Sequence, residues 1–144
     1  MHNSVPDETT YSISTDKTLL DIPLIHAYLS GSSYWARGRS LATVTESIEH
    51  SLCFGVFASG GSQVGFARVI TDSSTFAWLC DVFILEEHRS RGLGRRLVET
   101  VVSHSDLAHI KRILLATKDA HKLYQEYGGF LPLAHPERWM ERVP

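Results

Sequence analysis

The chain has 144 residues, a formal net charge of -2 and an apolar fraction of 43%. These values fit one globular domain over residues 1–144 and exclude a largely disordered chain. A slightly negative chain lacks the basic surface of a nonspecific nucleic-acid binder, so we expect no nucleic-acid partner. There is no signal-peptide pattern and no apolar stretch near the roughly 20 residues of a membrane span. We therefore expect no membrane partner and a cytoplasmic location.

The first half of the chain predicts a short strand, two helices and a hairpin. Residues 1–9 are polar, and we expect them to be disordered. In chain order, the pattern predicts a strand at 11–14, a helix at 22–29, a helix from Thr43 to about residue 50, and strands at 52–58 and 63–70 joined by a turn at 59–62. Glu46 lies three residues after Thr43, which is the spacing of a capping box.

The second half predicts a strand–helix–strand unit, a further helix and two final strands. A strand at 75–85 leads into a glycine loop and a helix to about residue 105, and a short strand follows at 113–116. A crossover helix of this kind makes the two strands parallel. Asp119 is expected to cap a helix that runs through Tyr127 and is closed by Gly128 and Gly129. Final strands are expected at 130–133 and 139–143, which completes a mixed sheet with helices on both faces.

The glycine loop is the most informative segment of the sequence. Gly92 and Gly94 lie between a buried strand and a helix start. The first N–H groups of a helix have no internal partner, and glycine lets a ligand approach the main chain closely. The loop is surrounded by positive charge from Arg89, Arg91, Arg95 and Arg96. We expect a ligand that carries a pyrophosphate to bind here.

Other catalytic patterns are absent from the sequence. The eight histidines are scattered and show no metal-ligand spacing, so no metal site is expected. Cys53 and Cys80 lie in apolar runs, which favours two reduced thiols. There is no Gly-x-Ser-x-Gly elbow and no Walker lysine, which argues against a hydrolase and against a P-loop enzyme.

Two stretches resemble the motifs of a known family. Residues 89–94, Arg-Ser-Arg-Gly-Leu-Gly, resemble the R/Q-x-x-G-x-G/A signature of the GNAT superfamily of acetyl-CoA-dependent acetyltransferases. Residues 120–130, Ala-His-Lys-Leu-Tyr-Gln-Glu-Tyr-Gly-Gly-Phe, resemble the A-x-x-L-Y-x-x-x-G-F stretch of that family, with one extra glycine. The order of elements is also similar from Tyr11 to the C-terminus. The resemblance implies a GNAT-type α/β fold with a mixed, mostly antiparallel central sheet.

The resemblance also implies a binding site for acetyl-CoA and a general acid. Tyr124 would donate a proton to the departing thiolate, although its spacing alone favours a half-buried core tyrosine. Many family members hold the pantetheine with an asparagine that this chain lacks; either Thr117 or Asp119 replaces it, or no residue does, and a plain helix cap explains Asp119 at least as well. The other residues implied to hold the cofactor are Val82, Phe83, Ile84, Arg89, Ser90, Arg91, Gly92, Leu93, Gly94 and Arg95.

The acceptor side is less clearly defined in the sequence. Tyr34 and Trp35 are adjacent aromatics in a polar loop, where they either contact an amine acceptor or pin the loop to the core. Asp81 is a carboxylate within an apolar strand and is our candidate for the base or the amine anchor. A water chain is the alternative base. Neither cysteine stands where an acyl-enzyme relay is expected, which favours direct transfer.

The sequence as a whole predicts an acetyl-CoA-dependent N-acetyltransferase. It would move an acetyl group directly from acetyl-CoA to a primary amine of a small molecule or peptide, without a metal. The alternatives are a non-catalytic acyl-CoA sensor and an acetyltransferase that acts on a macromolecule. By analogy with the family alone, we also expect a homodimer through the C-terminal hairpin, in which Trp139 is either a dimer contact or a wall of the pocket. The acceptor itself is not encoded in a transferable motif.

Overall fold

The computed structural model describes residues 10–144 and arranges its strands in one five-stranded sheet. The strands are β1 Ser12–Ser14, β2 Leu52–Phe57, β3 Gln63–Thr71, β4 Ala77–Ile84 and β5 Ile113–Leu114. They lie in chain order, and every pair is antiparallel except β4 with β5. This is the predicted mixed, mostly antiparallel sheet. The expected disorder at residues 1–9 falls outside the described residues.

Helices cover both faces of the sheet, as predicted. Within residues 10–144 the α-helices are α1 Ile22–Gly31, α2 Leu41–Glu49, α3 Leu93–Ser103 and α4 His121–Gly128. Side chains of α1 and α2 pack with Phe66 and Phe83 in one apolar cluster, and those of α3 and α4 pack with Phe54 in a second. No helix in this part of the chain is long and apolar enough to cross a membrane.

β4 contains a bulge centred on Asp81. The register with β3 passes from the pair Arg68–Cys80 to the pair Phe66–Phe83, so two β4 residues oppose one β3 residue. Asp81 has a φ of 53°, a left-handed conformation that residues other than glycine adopt rarely. An extra residue of this kind bends the strand and redirects the side chains that follow it.

The bulge reverses the side of the sheet to which the following β4 side chains point. Before it, Leu79 belongs to the apolar cluster of α3 and α4, and after it Phe83 belongs to the cluster of α1 and α2. Residues an even number of positions apart normally share a face of a strand. The bulge therefore turns Asp81 and Phe83 toward α1 and α2, and Val82 toward α3 and α4.

Two predicted helix caps are wrong. The N-cap of α2 is Ser40, whose side-chain oxygen accepts a hydrogen bond from the Thr43 N–H at 3.1 Å, so Thr43 lies inside the helix. At α4, the Thr117 hydroxyl rather than Asp119 accepts a hydrogen bond from the Ala120 N–H at 3.1 Å. In both cases an earlier hydroxyl in the chain reaches the helix start.

The two predicted final strands, at 130–133 and 139–143, are not formed. Residues 130–144 contain one 3-10 turn, Pro136–Arg138, and are otherwise irregular. A strand requires hydrogen bonds from a neighbour, and within residues 10–144 no segment pairs with the outer edge of β5. The C-terminal segment is exposed from Leu131 onward.

Candidate active site

A pocket opens where β4 and β5 separate. The two parallel strands pair only through Ala77 with Ile113 and Trp78 with Leu114. Beyond these pairs lies a pocket of about 290 Å³, walled by β4, by the segment after β5 and by the loop between α1 and α2. The sequence-predicted site residues that line it are Tyr34, Trp35, Val82, Thr117, Asp119 and Tyr124.

Tyr124 is a buried residue in the lining of this pocket. The residue is 7% exposed, and its ring meets that of Phe130 edge-on, with 5.9 Å between the ring centroids. Burial raises the pKa of Tyr124 to about 12, with smaller contributions from Tyr34 and Asp119. The hydroxyl is therefore protonated at neutral pH and is suited to donate a hydrogen bond to a nearby anion.

Tyr34 and Trp35 bring two aromatic rings to the mouth of the pocket. The rings are perpendicular, with 5.1 Å between their centroids. The Tyr34 hydroxyl accepts a hydrogen bond from the Lys118 N–H at 2.8 Å, which links the α1–α2 loop to the segment before α4. The residues remain 48% and 39% exposed, so both retain surface for a ligand.

Asp81 lies at the centre of a buried ion-pair network. It is 3% exposed. Its Oδ2 accepts hydrogen bonds from Arg39 Nη1 and Arg68 Nε, each at 2.8 Å, and its Oδ1 accepts one from Trp35 Nε1 at 2.9 Å. Both carboxylate oxygens thus hold the α1–α2 loop against β3 and β4. The sequence analysis missed both arginines; the signal available was Arg68 itself, a charge inside an apolar strand.

The start of α3 presents main-chain donors to the solvent. Gly92 is the N-cap residue, with a φ of 78°, and Ser90 also has a positive φ of 64°. The Arg96 N–H donates to the Gly92 carbonyl at 3.0 Å, so the N–H groups of Leu93 and Gly94 precede the first turn of internal bonds. Free main-chain donors at the positive end of a helix suit a phosphate.

The arginines around this loop also have local contacts. Arg89 donates from Nε to the Ile84 carbonyl at 2.9 Å and from Nη2 to the Tyr28 hydroxyl at 3.0 Å, which fastens the end of β4 to α1. The Arg95 guanidinium lies 4.9 Å from the centroid of the Tyr127 ring. Arg91 Nη2 donates to a main-chain carbonyl four residues earlier at 3.2 Å. The main chain is thus the part of the loop best placed to meet an anion.

The three β4 residues expected to pair with the pantetheine differ in side-chain placement. Val82 lines the pocket. Phe83 is 4% exposed and stacks on Tyr28 with 4.0 Å between ring centroids, so its side chain belongs to the core. Ile84 is half-buried and pairs with Gly65 of β3. Any contact with a ligand at Phe83 is therefore through the main chain.

Cys80 lines the same pocket, which the sequence analysis did not anticipate. Both cysteines are free thiols. Burial raises the pKa of Cys80 to about 11 and that of Cys53 to about 11 as well. A thiol with so high a pKa is almost entirely protonated at neutral pH and is a weak nucleophile. Residues 10–144 contain no group of three or more His, Cys, Asp and Glu side chains placed to hold a metal.

Known proteins resemble this chain in sequence and in fold. The model of the acetyltransferase (GNAT) family matches residues 22–130. A candidate acetyltransferase of Gibberella zeae is 32% identical over 138 residues, covering 83% of this chain and 78% of that protein. The crystal structure of a candidate GNAT-family acetyltransferase from Xanthomonas campestris pv. campestris is 51% identical, with a TM-score of 0.89 and coverage of 93% of each chain.

More distant structures share the fold. Spermidine N-acetyltransferase from Vibrio cholerae, solved with CoA and spermine, is 18% identical, with a TM-score of 0.64 and coverage of 84% of this chain and 81% of that one. At such identity the likeness concerns the fold alone. The match of the family model over most of the chain, together with the similarity to the Gibberella zeae protein, shows that this chain belongs to the acetyltransferase (GNAT) family.

Proposed function

We propose that this protein transfers the acetyl group of acetyl-CoA directly to a primary amine of a small molecule or peptide. The observation that supports the proposal best is the convergence of Tyr124, Tyr34 and Trp35 on the pocket between β4 and β5. β4 leads from this pocket, through a 3-10 turn at Glu86–His88, to the glycine loop at the start of α3. The thioester of acetyl-CoA would therefore lie in the pocket, and its pyrophosphate would lie at the glycine loop that follows β4.

The donor would be held mainly through the main chain. The N–H groups between Ser90 and Arg95 would bind the pyrophosphate of CoA at the positive end of α3. From Leu79 onward, β4 has β3 on one side and no paired strand on the other within residues 10–144. The pantetheine arm would pair with this free edge through Val82 to Ile84, as an added strand does. Thr117 and Asp119 form the opposite wall.

The transfer would proceed without an acyl-enzyme intermediate. The amine nitrogen attacks the thioester carbon, and a main-chain N–H of β4 near Ile84 stabilises the oxyanion. The C–S bond then breaks, and the thiolate of CoA takes a hydrogen bond and finally a proton from Tyr124. The proton lost by the nitrogen passes to water at the open mouth of the pocket and restores the Tyr124 hydroxyl. Holding the two substrates together contributes several kcal/mol by itself.

Asp81 has a positioning role in this proposal. Its oxygens already accept three hydrogen bonds, two of them from arginines. We therefore assign it the task of holding Trp35 at the mouth of the pocket rather than that of removing a proton from the amine. The rings of Tyr34 and Trp35 would contact the apolar body or the cationic part of the acceptor.

A panel of acceptors tests the proposal. Acetyl-CoA is incubated with the protein and with polyamines, amino acids, lysine-containing peptides or matched alcohols, and the release of free CoA thiol is measured. We expect at least one class of amine to raise the release well above the rate with water alone, while the alcohols do not. If CoA binds but no amine raises the release, the proposal fails, and a non-catalytic acyl-CoA sensor becomes the better description.

A further inference from the structure

The ion-pair network behind the mouth of the pocket carries more positive than negative charge. Asp81 is bound by two guanidinium groups, those of Arg39 and Arg68, each 2.8 Å from its Oδ2. No other carboxylate in residues 10–144 forms an ion pair with either arginine. Arg68 also donates to the uncharged Ser51 hydroxyl at 3.1 Å. Because buried charges are normally matched, this network can accept one further negative group.

Arg39 is the member of the network that a ligand can reach. Its side chain is 23% exposed, against 1% for Asp81 and 10% for Arg68. Nη1 of Arg39 is engaged with Asp81, whereas Nε and Nη2 have no hydrogen-bond partner within residues 10–144. Every buried side-chain nitrogen and oxygen in this part of the chain has a partner, so these two groups are open to solvent. N–H donors of this kind on a guanidinium bind a carboxylate or a phosphate well.

Arg39 is held next to an aromatic wall of the pocket. The carboxylate of Asp81 binds Arg39 through Oδ2 and the indole N–H of Trp35 through Oδ1, at 2.8 and 2.9 Å. Trp35 in turn lines the pocket. Burial raises the pKa of the pocket-lining Cys80 to about 11, and the charged groups of the network make smaller contributions. The field of the network therefore extends into the pocket.

A second cation lies at the mouth of the pocket, beside the other aromatic side chain. Lys118 Nζ is 5.5 Å from the centroid of the Tyr34 ring. Lys118 is exposed, lines the pocket and forms no ion pair with any residue in the range 10–144. Both aromatic rings thus already have a cation of the protein beside them. A cationic part of an acceptor would be repelled there, whereas an anionic part would be attracted.

The carboxylate of the pocket lies on the side where the reaction would take place. Among the described lining residues, Asp119 is the one carboxylate. Burial raises the pKa of Tyr124 to about 12, and Tyr34 and Asp119 add to the rise, so Asp119 lies close enough to act on this hydroxyl. Negative charge near Tyr124 and positive charge at the mouth suit a molecule with an amine at one end and an anion at the other.

We propose that the acceptor is an amine that also carries an anionic group, a carboxylate or a phosphate, and that Arg39 binds this group through Nε and Nη2. The amine lies in the pocket beside Tyr124, and the anion lies at the mouth, where Lys118 adds to the attraction. The inference rests on the proposed function, because it names the acceptor of that reaction. It excludes polyamines, whose charged groups are all cations.

Matched pairs of acceptors test the charge requirement. Phenylalanine is compared with phenethylamine, lysine with cadaverine, and ethanolamine phosphate with ethanolamine, by thiol release from acetyl-CoA. Each kcat/KM is corrected for the fraction of free amine at the assay pH. We expect the anionic member of at least one pair to be better by about tenfold or more, and the pair that shows it distinguishes carboxylate from phosphate. If the uncharged counterpart is as good in every pair, the proposal is overturned.

Substitution of Arg39 tests the residue. Arg39→Gln should lower the preference for the anionic member about tenfold, and Arg39→Lys should retain part of it. Taking the ratio of two acceptors within one variant cancels any loss of folded protein. Arg37→Gln is the matched control, since Arg37 is exposed on the same loop and has no hydrogen bond or ion pair within residues 10–144. A preference that survives Arg39→Gln, or that falls equally in Arg37→Gln, overturns the assignment.

Binding without turnover separates this inference from the proposed function. The same pairs are titrated by calorimetry into the protein loaded with CoA. An anionic amine that binds through Arg39 and is never acetylated would overturn the proposed function alone. Amines that are acetylated with no preference for the anionic member would overturn the anion site alone.

Discussion

The hydroxyl of Tyr124 illustrates how burial of one residue sets its chemistry. Burial raises the pKa of Tyr124 to about 12 because the phenolate would lose its hydration in the pocket. An ordinary thiol titrates at about 8.5, so a thiolate leaving beside this phenol accepts a hydrogen bond while the phenol keeps its proton for most of the step. In the proposed mechanism, Tyr124 would therefore act first as a hydrogen-bond donor and only afterwards as a proton source.

Removal of that hydroxyl should slow transfer without affecting donor binding. Tyr124→Phe keeps the ring against Phe130 and deletes the acid, so we expect kcat to fall by about 100-fold or more. Tyr127→Phe on the same helix is the matched control and should retain turnover. Thiol release gives kcat, and calorimetry with CoA reports the unchanged binding. Equal effects of the two substitutions would remove Tyr124 from the mechanism.

The pH dependence of the rate should reflect the amine rather than the tyrosine. The pKa of Tyr124 is raised to about 12, so its hydroxyl stays protonated throughout the range in which amines lose their protons. We expect kcat/KM to rise with pH as the acceptor deprotonates and to show no fall before about pH 10. A descending limb near neutral pH would indicate a different acid.

Cys80 should be dispensable despite its place in the pocket. Burial raises the pKa of its thiol to about 11, which leaves almost no thiolate to attack a thioester at neutral pH. Cys80→Ala is expected to retain turnover, and mass spectrometry of the wild-type chain after incubation with acetyl-CoA should show no acetylated enzyme. A stable acetyl adduct at Cys80, together with loss of turnover in the variant, would replace direct transfer by a two-step reaction.

At the residue scale, a motif or a loop position in the sequence singled out four candidate residues that the structure places together. Tyr124 and Thr117 were found through the family resemblance, and Tyr34 and Trp35 through two aromatics in a polar loop; all four line one pocket. The arginine partners of Asp81 were missed, because 42 and 13 residues separate them from it in the chain. Only tertiary packing brings such groups together.

At the scale of elements, the bulge in β4 joins strand geometry to the acceptor loop. It turns Asp81 toward the α1–α2 loop, where the carboxylate meets Arg39 and Trp35 at 2.8 and 2.9 Å. A regular strand would place this side chain on the same face as Leu79, in the cluster of α3 and α4. The bulge is therefore required for the network that fixes one wall of the pocket.

Neutralising Asp81 should weaken both the fold and the acceptor site. In Asp81→Asn, Arg39 and Arg68 lose their counter-charge, and breaking a buried pair typically costs about 3 kcal/mol. Urea unfolding should show this loss, while the exposed control Asp106→Asn stays within about 0.5 kcal/mol of wild type. The KM for the acceptor should rise, with CoA binding intact. If the variant keeps its stability but its kcat/KM no longer rises with pH, the result would instead support Asp81 as the base.

Elements defined by local sequence were predicted well, and elements that need a remote partner were not. The hairpin of β2 and β3 turns at Gly60 and Gly61, both with positive φ, as its sequence predicted. The strands expected at 130–133 and 139–143 are absent. Their sequence suits extended structure, but a strand is stable only when it is hydrogen-bonded to a neighbouring strand. Within residues 10–144 no segment pairs with the outer edge of β5.

At the scale of the whole molecule, the connections between elements determine the sheet. Hairpins make β2, β3 and β4 antiparallel, and the crossover through α3 makes β5 parallel to β4. The sequence predicted this arrangement because turns and helix patterns reveal the connections. It did not reveal that β4 and β5 part after two pairs, which creates the pocket. That opening depends on packing across both faces.

Calorimetric titration with CoA tests the central claim most directly, namely that the start of α3 holds the donor beside the pocket. Wild type should bind CoA. Gly92→Ala should bind about tenfold more weakly, because a φ of 78° costs a residue with a Cβ roughly 1–2 kcal/mol and the loop will shift to avoid it. Gly60→Ala is the control, since Gly60 has a φ of 99° and its added Cβ would meet nothing within 4 Å, but it lies in the hairpin between β2 and β3. No heat with wild type, or equal weakening by both substitutions, would contradict the claim.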